Sequence, residues 1–197
     1  MELILASGSP RRKEILERNG IKFRIIKAEN DGESDKKDTA GYVMELSENK
    51  AREVFEKLPD DFEGVVLGAD TVVAKDGKIL GKPADRDDSI AMIKAIAGDK
   101  HSVLTGITLI YKKAGKMTVK SGYEETFVYV KAMTDEEIRG YADTGEGMDK
   151  AGSYAIQGIF GKYIDHYDGD YDNVVGLPYN KLKETLDEMS ISINDFK

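Results

Sequence analysis

Leu3-Ile4-Leu5-Ala6-Ser7-Gly8-Ser9-Pro10-Arg11-Arg12 is the stretch on which the fold turns. An apolar run gives way to a small polar turn, and an amphipathic run follows over residues 13–19. The pattern predicts strand, tight turn, helix. Ser9 suits the N-cap, and Pro10 suits the first helical position, where its missing N–H would have no partner in any case. Arg11 and Arg12 fall in the first turn, where the positive end of the helix dipole disfavours each by roughly 0.3–1 kcal/mol. Two readings account for them. Either an anion sits at the turn, held by backbone N–H groups, two hydroxyls and two guanidinium groups, with a phosphate chain the best fit, or the helix is a capped surface helix with solvated arginines.

The rest of the chain limits what such a turn can serve. At 197 residues it is long enough to bury a sizeable core in one domain, and no linker suggests a second. No apolar run approaches the roughly 18 residues of a membrane span. No basic region precedes a long apolar stretch at the N-terminus, so a cytoplasmic protein without a membrane partner is expected. The chain has no cysteine, which excludes disulfides, thiol catalysis and zinc–thiolate sites. A net charge of −8 disfavours nucleic acid as a partner, because such binding needs a broad positive field. A small polyanion needs only a local basic pocket.

Working outward from the turn, residues 23–26 read as a second strand after Gly20, and residues 28–37 as an acidic loop holding Glu29, Asp31, Glu33 and Asp35. Asp38 or Thr39 can cap a long helix to about Lys57. Val65-Val66-Leu67 reads as a short buried strand with Gly68-Ala69-Asp70-Thr71 at its C-terminal end, and residues 72–80 as a hairpin through Asp76-Gly77. A helix is expected over residues 87–97 with Ile90, Ile93 and Ile96 inward. Strands are expected over 105–111, near 117–120, and over 125–131. Thr134 caps a further helix to about Asp143, residues 149–158 pass from loop to strand, and a last helix covers 182–189. Hairpins mixed with helices indicate an α/β (α+β) fold around a mixed sheet.

Asp70 is the second anchor. A carboxylate at the carboxyl end of a strand can bind a divalent metal or take a proton from water, or it can cap a turn. Lys50 and Lys82, the latter in the rigid turn Gly81-Lys82-Pro83, gain meaning only if they converge with Arg11, Arg12 and Asp70. Gln157 can offer a donor and an acceptor to a base edge, or serve as a structural amide. Residues 173–178 read as structural, and residues 165–172 lack the spacing of a calcium loop and read as a solvated turn. His101 and His166 lack metal-ligand spacing. Nucleophile-elbow, Walker A and dinucleotide-binding patterns are missing from the sequence.

Six segments, taken together and in order, resemble the Maf family of nucleoside triphosphate pyrophosphatases, often labelled septum formation inhibitors. They are residues 5–12, Asn49-Lys50-Ala51, Gly68-Ala69-Asp70-Thr71, Gly81-Lys82-Pro83, residues 149–158 and Val175-Gly176-Leu177-Pro178. The resemblance implies an elongated mixed sheet flanked by helices, like the inosine-triphosphate pyrophosphatases, and often a homodimer. It implies cleavage of a nucleoside triphosphate to monophosphate and pyrophosphate with a divalent cation, Mg²⁺ or Mn²⁺, and a role in division arrest and nucleotide-pool sanitising. It places function on Ser7, Arg12, Lys50, Asp70 and Lys82, with a second metal carboxylate in the acidic loop, where the alignment allows Asp31 or Glu33. Arg11, Thr71 and Gln157 resemble the dTTP/UTP branch rather than the 7-methyl-GTP branch, which has tryptophan, glutamine and glutamate at these positions. Asp170 departs from the serine frequent in relatives and is expected to affect only a turn. The expected chemistry is water attack on the α-phosphorus; the alternative is a nucleotide-sensing regulator of septum formation without significant turnover.

Overall fold

The computed structural model describes residues 1–30, 32 and 34–197. Among the described residues seven strands form one mixed sheet in the order β2-β1-β3-β5-β6-β7, with β4 paired to β3, and helices flank it. The strands are β1 (Glu2–Leu5), β2 (Arg24–Ile25), β3 (Gly64–Lys75), β4 (Lys78–Leu80), β5 (Lys100–Lys113), β6 (Lys116–Val130) and β7 (Ile164–Asp168). The α-helices are α1 (Pro10–Arg18), α2 (Thr39–Glu56), α3 (Arg86–Ile96), α4 (Asp135–Asp143), α5 (Tyr171–Val175) and α6 (Tyr179–Glu188). Among the described residues no helix is long and apolar enough to cross a membrane.

The chain divides into two units. Unit 1 comprises Met1–Asp70, Thr105–Glu124 and Gly176–Lys197; unit 2 comprises Thr71–Leu104 and Glu125–Val175. In unit 1, β1 pairs in parallel with β2 and β3, and Leu5 lies opposite Leu67. Its core holds Ile4 and Ala6 from β1 and its continuation, Val66 from β3, Ala51 and Val54 from α2, and Ile110 from β5. Every residue of β3 from Gly64 to Ala69 is buried, as expected of a strand covered on both faces. In unit 2, the antiparallel pairs β3–β4 and β6–β7 meet α3 and α4. Ile93 and Ile96 of α3 are fully buried there with Ile138 of α4 and Phe160, each side chain contributing about 1.5–3 kcal/mol by leaving water.

Local signals account for most boundaries. Asp38 caps α2 by accepting from the Gly41 N–H, and Asp85 caps α3 by accepting from the Asp88 N–H. Thr134 and Glu137 form a reciprocal capping box on α4. Asp76 and Gly77 both take positive φ, the geometry a two-residue hairpin turn demands.

Four expectations are corrected. The strand predicted to stop at Leu67 continues to Lys75, because the β-branched Val72 and Val73 carry it into pairing with β4; Asp70 therefore lies within β3, not at its end. The two strands expected near 117–120 and over 125–131 are one 15-residue strand, β6. Ser121, Gly122 and Glu124 interrupt the apolar pattern without ending the strand. Residues 149–158 contain a short 3₁₀ turn, Ala151–Ser153, and no strand, with Gly152 and Ser153 both at positive φ. Part of the presumed turn over 165–172 is β7, an exposed strand at the sheet's edge. Asp170 does occupy a turn: its Oδ1 accepts from the Asp172 N–H at the head of α5.

Candidate active site

The parallel register brings the first anchor beside the second. With Leu5 opposite Leu67, and the Ala6 N–H donating to the Leu67 carbonyl at 2.8 Å, the chain leaves the sheet at Ser7 level with Ala69 and next to Asp70. Crevices at such levels of parallel strands are where open α/β sheets gather ligands.

Ser7 is buried, and its hydroxyl braces the turn ahead of α1, while the capping bond expected from Ser9 is not made. The Ser9 N–H donates to Ser7 Oγ at 3.3 Å, while Ser9, at the N-cap of α1, makes no side-chain capping bond. Arg12 also binds Ser7: its Nη1 donates to Ser7 Oγ at 2.9 Å and its Nε donates to the Gly176 carbonyl at 2.8 Å. A guanidinium fixed at two nitrogens is an oriented cation, not a solvated one. Arg11, on the same turn, is half-buried, and its side chain makes no hydrogen bond or ion pair among the described residues.

The second cluster is the ion pair between Lys50 of α2 and Asp70 of β3, Nζ to Oδ1, 2.7 Å apart. The side chains are 12% and 13% exposed, so the pair is mostly shielded yet open to a ligand. Two glycines bring helix and strand together. A β-carbon at Gly68 would collide with the Ser47 carbonyl and with Ala51 on α2, and one at Gly106 of β5 with the carbonyl of Val43, also on α2. Because β3 and β5 are neighbours, these two bare positions let the helix backbone lie against the sheet. Below it Ser47 and Thr108 share a buried hydrogen bond of 2.8 Å. The close approach sets the height of Lys50 over Asp70.

Ser7, Arg11, Arg12, Lys50 and Asp70 belong to unit 1. Thr71, Lys82 and Gln157 belong to unit 2. Lys82 and Gln157 are exposed there and make no hydrogen bond or ion pair among the described residues; Thr71 is half-buried. The Gly81 carbonyl accepts from the Gly152 N–H at 3.0 Å, which ties the Lys82 turn to the loop that leads to Gln157. The acidic-loop carboxylates Asp31 and Glu33 lie outside the described residues. Among the described residues no group of three or more histidine or carboxylate side chains gathers as a metal cluster. Asp70 offers one hard oxygen donor, and a magnesium-type ion is commonly held by one or two carboxylates with substrate phosphates and water completing the set. The donor chemistry therefore fits such an ion.

Gly176 was not legible as a site residue in the sequence. Its φ of 128° suits glycine alone and aims its carbonyl at Arg12. The signal was present in Gly176-Leu177-Pro178, but only the tertiary contact gives it a role. His101 is buried and shares a 2.6 Å hydrogen bond with the Tyr154 hydroxyl, while His166 is exposed beside Asp165. Burial, with Lys75 adding to it, lowers the His101 pKa from 6.5 to about 4.

The family model described as Maf-like protein matches residues 2–189. A "dTTP/UTP pyrophosphatase" of Thermoanaerobacter sp. (strain X514) is 48% identical over 186 residues, covering 94% of this chain and 95% of that protein. Proteins of the same name from Agathobacter rectalis and Clostridium botulinum (strain Kyoto / Type A2) are each 42% identical, covering 98% and 97% of this chain and 99% and 98% of their own lengths. Among solved structures, a HAM1 protein from Coxiella burnetii aligns with 66% of this chain and 73% of its own at a TM-score of 0.41 and 16% identity.

Proposed function

The chain belongs to the Maf family, and from that premise we propose that it is a nucleoside triphosphate pyrophosphatase that hydrolyses dTTP and UTP to the monophosphate and pyrophosphate. The observation that carries this reading is the shielded Lys50–Asp70 pair, level in the sheet with the Ser7–Arg12 turn. A carboxylate fixed by an ammonium group next to an oriented guanidinium is suited to orienting a water against a polyphosphate.

In this mechanism Ser7, Arg11 and Arg12 bind the triphosphate chain. Asp70 orients a water toward the α-phosphorus and receives its proton as the new P–O bond forms and the bond to the bridging oxygen breaks. Lys50 and Lys82 stabilise the negative charge gathering on the departing pyrophosphate. Phosphoryl-type transfer depends mostly on such positioning and charge stabilisation. Asp70, together with Asp31 or Glu33, would hold Mg²⁺ or Mn²⁺, which supplies Lewis-acid neutralisation of the phosphate oxygens when bound. The roles of Thr71, Lys82 and Gln157 rest on motif resemblance. Gln157 pairs with the carbonyl and imino N–H of uracil or thymine, an edge that a glutamate would read poorly.

The test is product analysis. Purified protein with Mg²⁺ and dTTP or UTP is expected to release monophosphate and pyrophosphate in equal amounts, and chelation with EDTA is expected to stop turnover. Intact nucleotide, or diphosphate with free phosphate, would refute the proposal.

A further inference from the structure

Gln157 stands at the exposed tip of a loop between two buried aromatic anchors. Tyr154 and Phe160 sit 4.9 Å apart by ring centroids, and Phe160 is also 4.9 Å from Tyr141. Between these anchors the local backbone bonds are turn contacts, such as the Gly158 N–H donating to the Ala155 carbonyl at 3.2 Å. A side chain that discriminates bases by two hydrogen bonds needs a backbone held more firmly than that.

Glu146 provides the hold. The Ile159 N–H donates to its Oε1 at 2.7 Å, and the Phe160 N–H donates to its Oε2 at 3.2 Å. Both carboxylate oxygens are thus committed to the two residues that follow Gln157 and Gly158. A β-carbon at Gly158 would overlap this carboxylate, so the loop has space for Glu146 only because that position is bare. At φ −104° the backbone of Gly158 lies in an ordinary region, which makes the requirement one of space. Glu146 is itself held from behind: the Lys150 ammonium donates to the Glu146 carbonyl at 2.7 Å and to Asp149 Oδ1 at 2.6 Å.

We propose that Glu146 is a specificity-positioning residue: its carboxylate pins the amides of Ile159 and Phe160 and so fixes the reach of Gln157 toward the nucleobase. This rests on the reading of Gln157 as the base-reading group and extends it to a residue that never touches substrate. In chemical terms, Glu146 acts on which base is accepted and leaves the phosphate chemistry alone.

Steady-state kcat/KM for dTTP, UTP, CTP and dGTP is measured on the whole protein and on Glu146→Gln, Gly158→Ala, Gln157→Ala and the double variant Gln157→Ala/Glu146→Gln, with amide hydrogen exchange followed at residues 159 and 160. Glu146→Gln is expected to cut the preference for dTTP over dGTP on the order of tenfold and to speed exchange at both amides. In the Gln157→Ala background it is expected to remove no further preference, since the two residues act through one contact. Gly158→Ala displaces the same carboxylate from the other side and is expected to match Glu146→Gln, which keeps the test available if one variant folds poorly. An unchanged preference in both, or an equal fall on every nucleotide in either background, would overturn the proposal and leave Glu146 a purely structural role. A Gln157→Ala variant with the parent's preference would instead refute the base-reading role, and the proposal with it.

Discussion

Replacing Lys50 by methionine should separate the stability of the site from its chemistry. The ammonium lies 2.7 Å from Asp70 Oδ1, and the two side chains are 12% and 13% exposed. Losing one partner of a fully buried pair typically costs about 3–5 kcal/mol, because the other charge is left uncompensated. Residual contact with water reduces this to about 2 kcal/mol here. For a chain of this size that is a fall in Tm of about 4–8 °C. Asp70→Asn retains an oxygen for Lys50 and should cost about 1 kcal/mol. The double variant leaves no stranded carboxylate, so its destabilisation should be smaller than the sum of the singles by about 1–2 kcal/mol. Activity should behave otherwise: each single change should lower kcat on the order of 10²–10³-fold, and the double variant should recover none of it. The assays are thermal or urea denaturation and pyrophosphate release from dTTP with Mg²⁺. Strictly additive destabilisation, or an unchanged Tm in Lys50→Met, would refute the argument that the pair is a shielded, mutually compensating unit. Near-full activity in Asp70→Asn would refute its role toward water.

Gly68→Ala should lower stability by about 1–3 kcal/mol by pushing α2 off β3, and should also lower kcat on the order of 10²-fold by moving Lys50 away from Asp70; a stable variant of ordinary activity would show that the close approach does not set the pair. Gln157→Glu should depress hydrolysis of UTP and dTTP relative to other nucleotides, read as a change in the ranking of kcat/KM across a nucleotide panel. His101 supplies a pH dependence: with its folded pKa at about 4, below the ordinary 6.5, the unfolded chain takes up a proton before the folded one as pH falls. Its contribution is therefore fully present above 6.5 and is lost between 6.5 and 4, by roughly 3 kcal/mol at most. Urea denaturation across that range should show the loss in the parent, and a flatter profile in His101→Gln.

The sequence by itself determined the local pieces, because their causes are local. Pro10 behind Ser9 starts a helix, Asp38, Asp85 and Thr134 cap helices, and Asp76-Gly77 turns a hairpin, all through interactions spanning four residues or fewer. The motif order also marked Ser7, Arg12, Lys50 and Asp70 as residues to watch. How those residues meet was decided by tertiary structure alone. Register between parallel strands puts Ser7 level with the residue before Asp70, and two bare glycines let α2 approach until Lys50 reaches across from twenty positions away. Likewise, Arg12 draws on a carbonyl 164 positions distant, and Glu146 grips amides thirteen and fourteen positions further on. Propensity and spacing carry no information about such contacts, since each arises from packing a helix or loop against a surface that exists only once the sheet has formed.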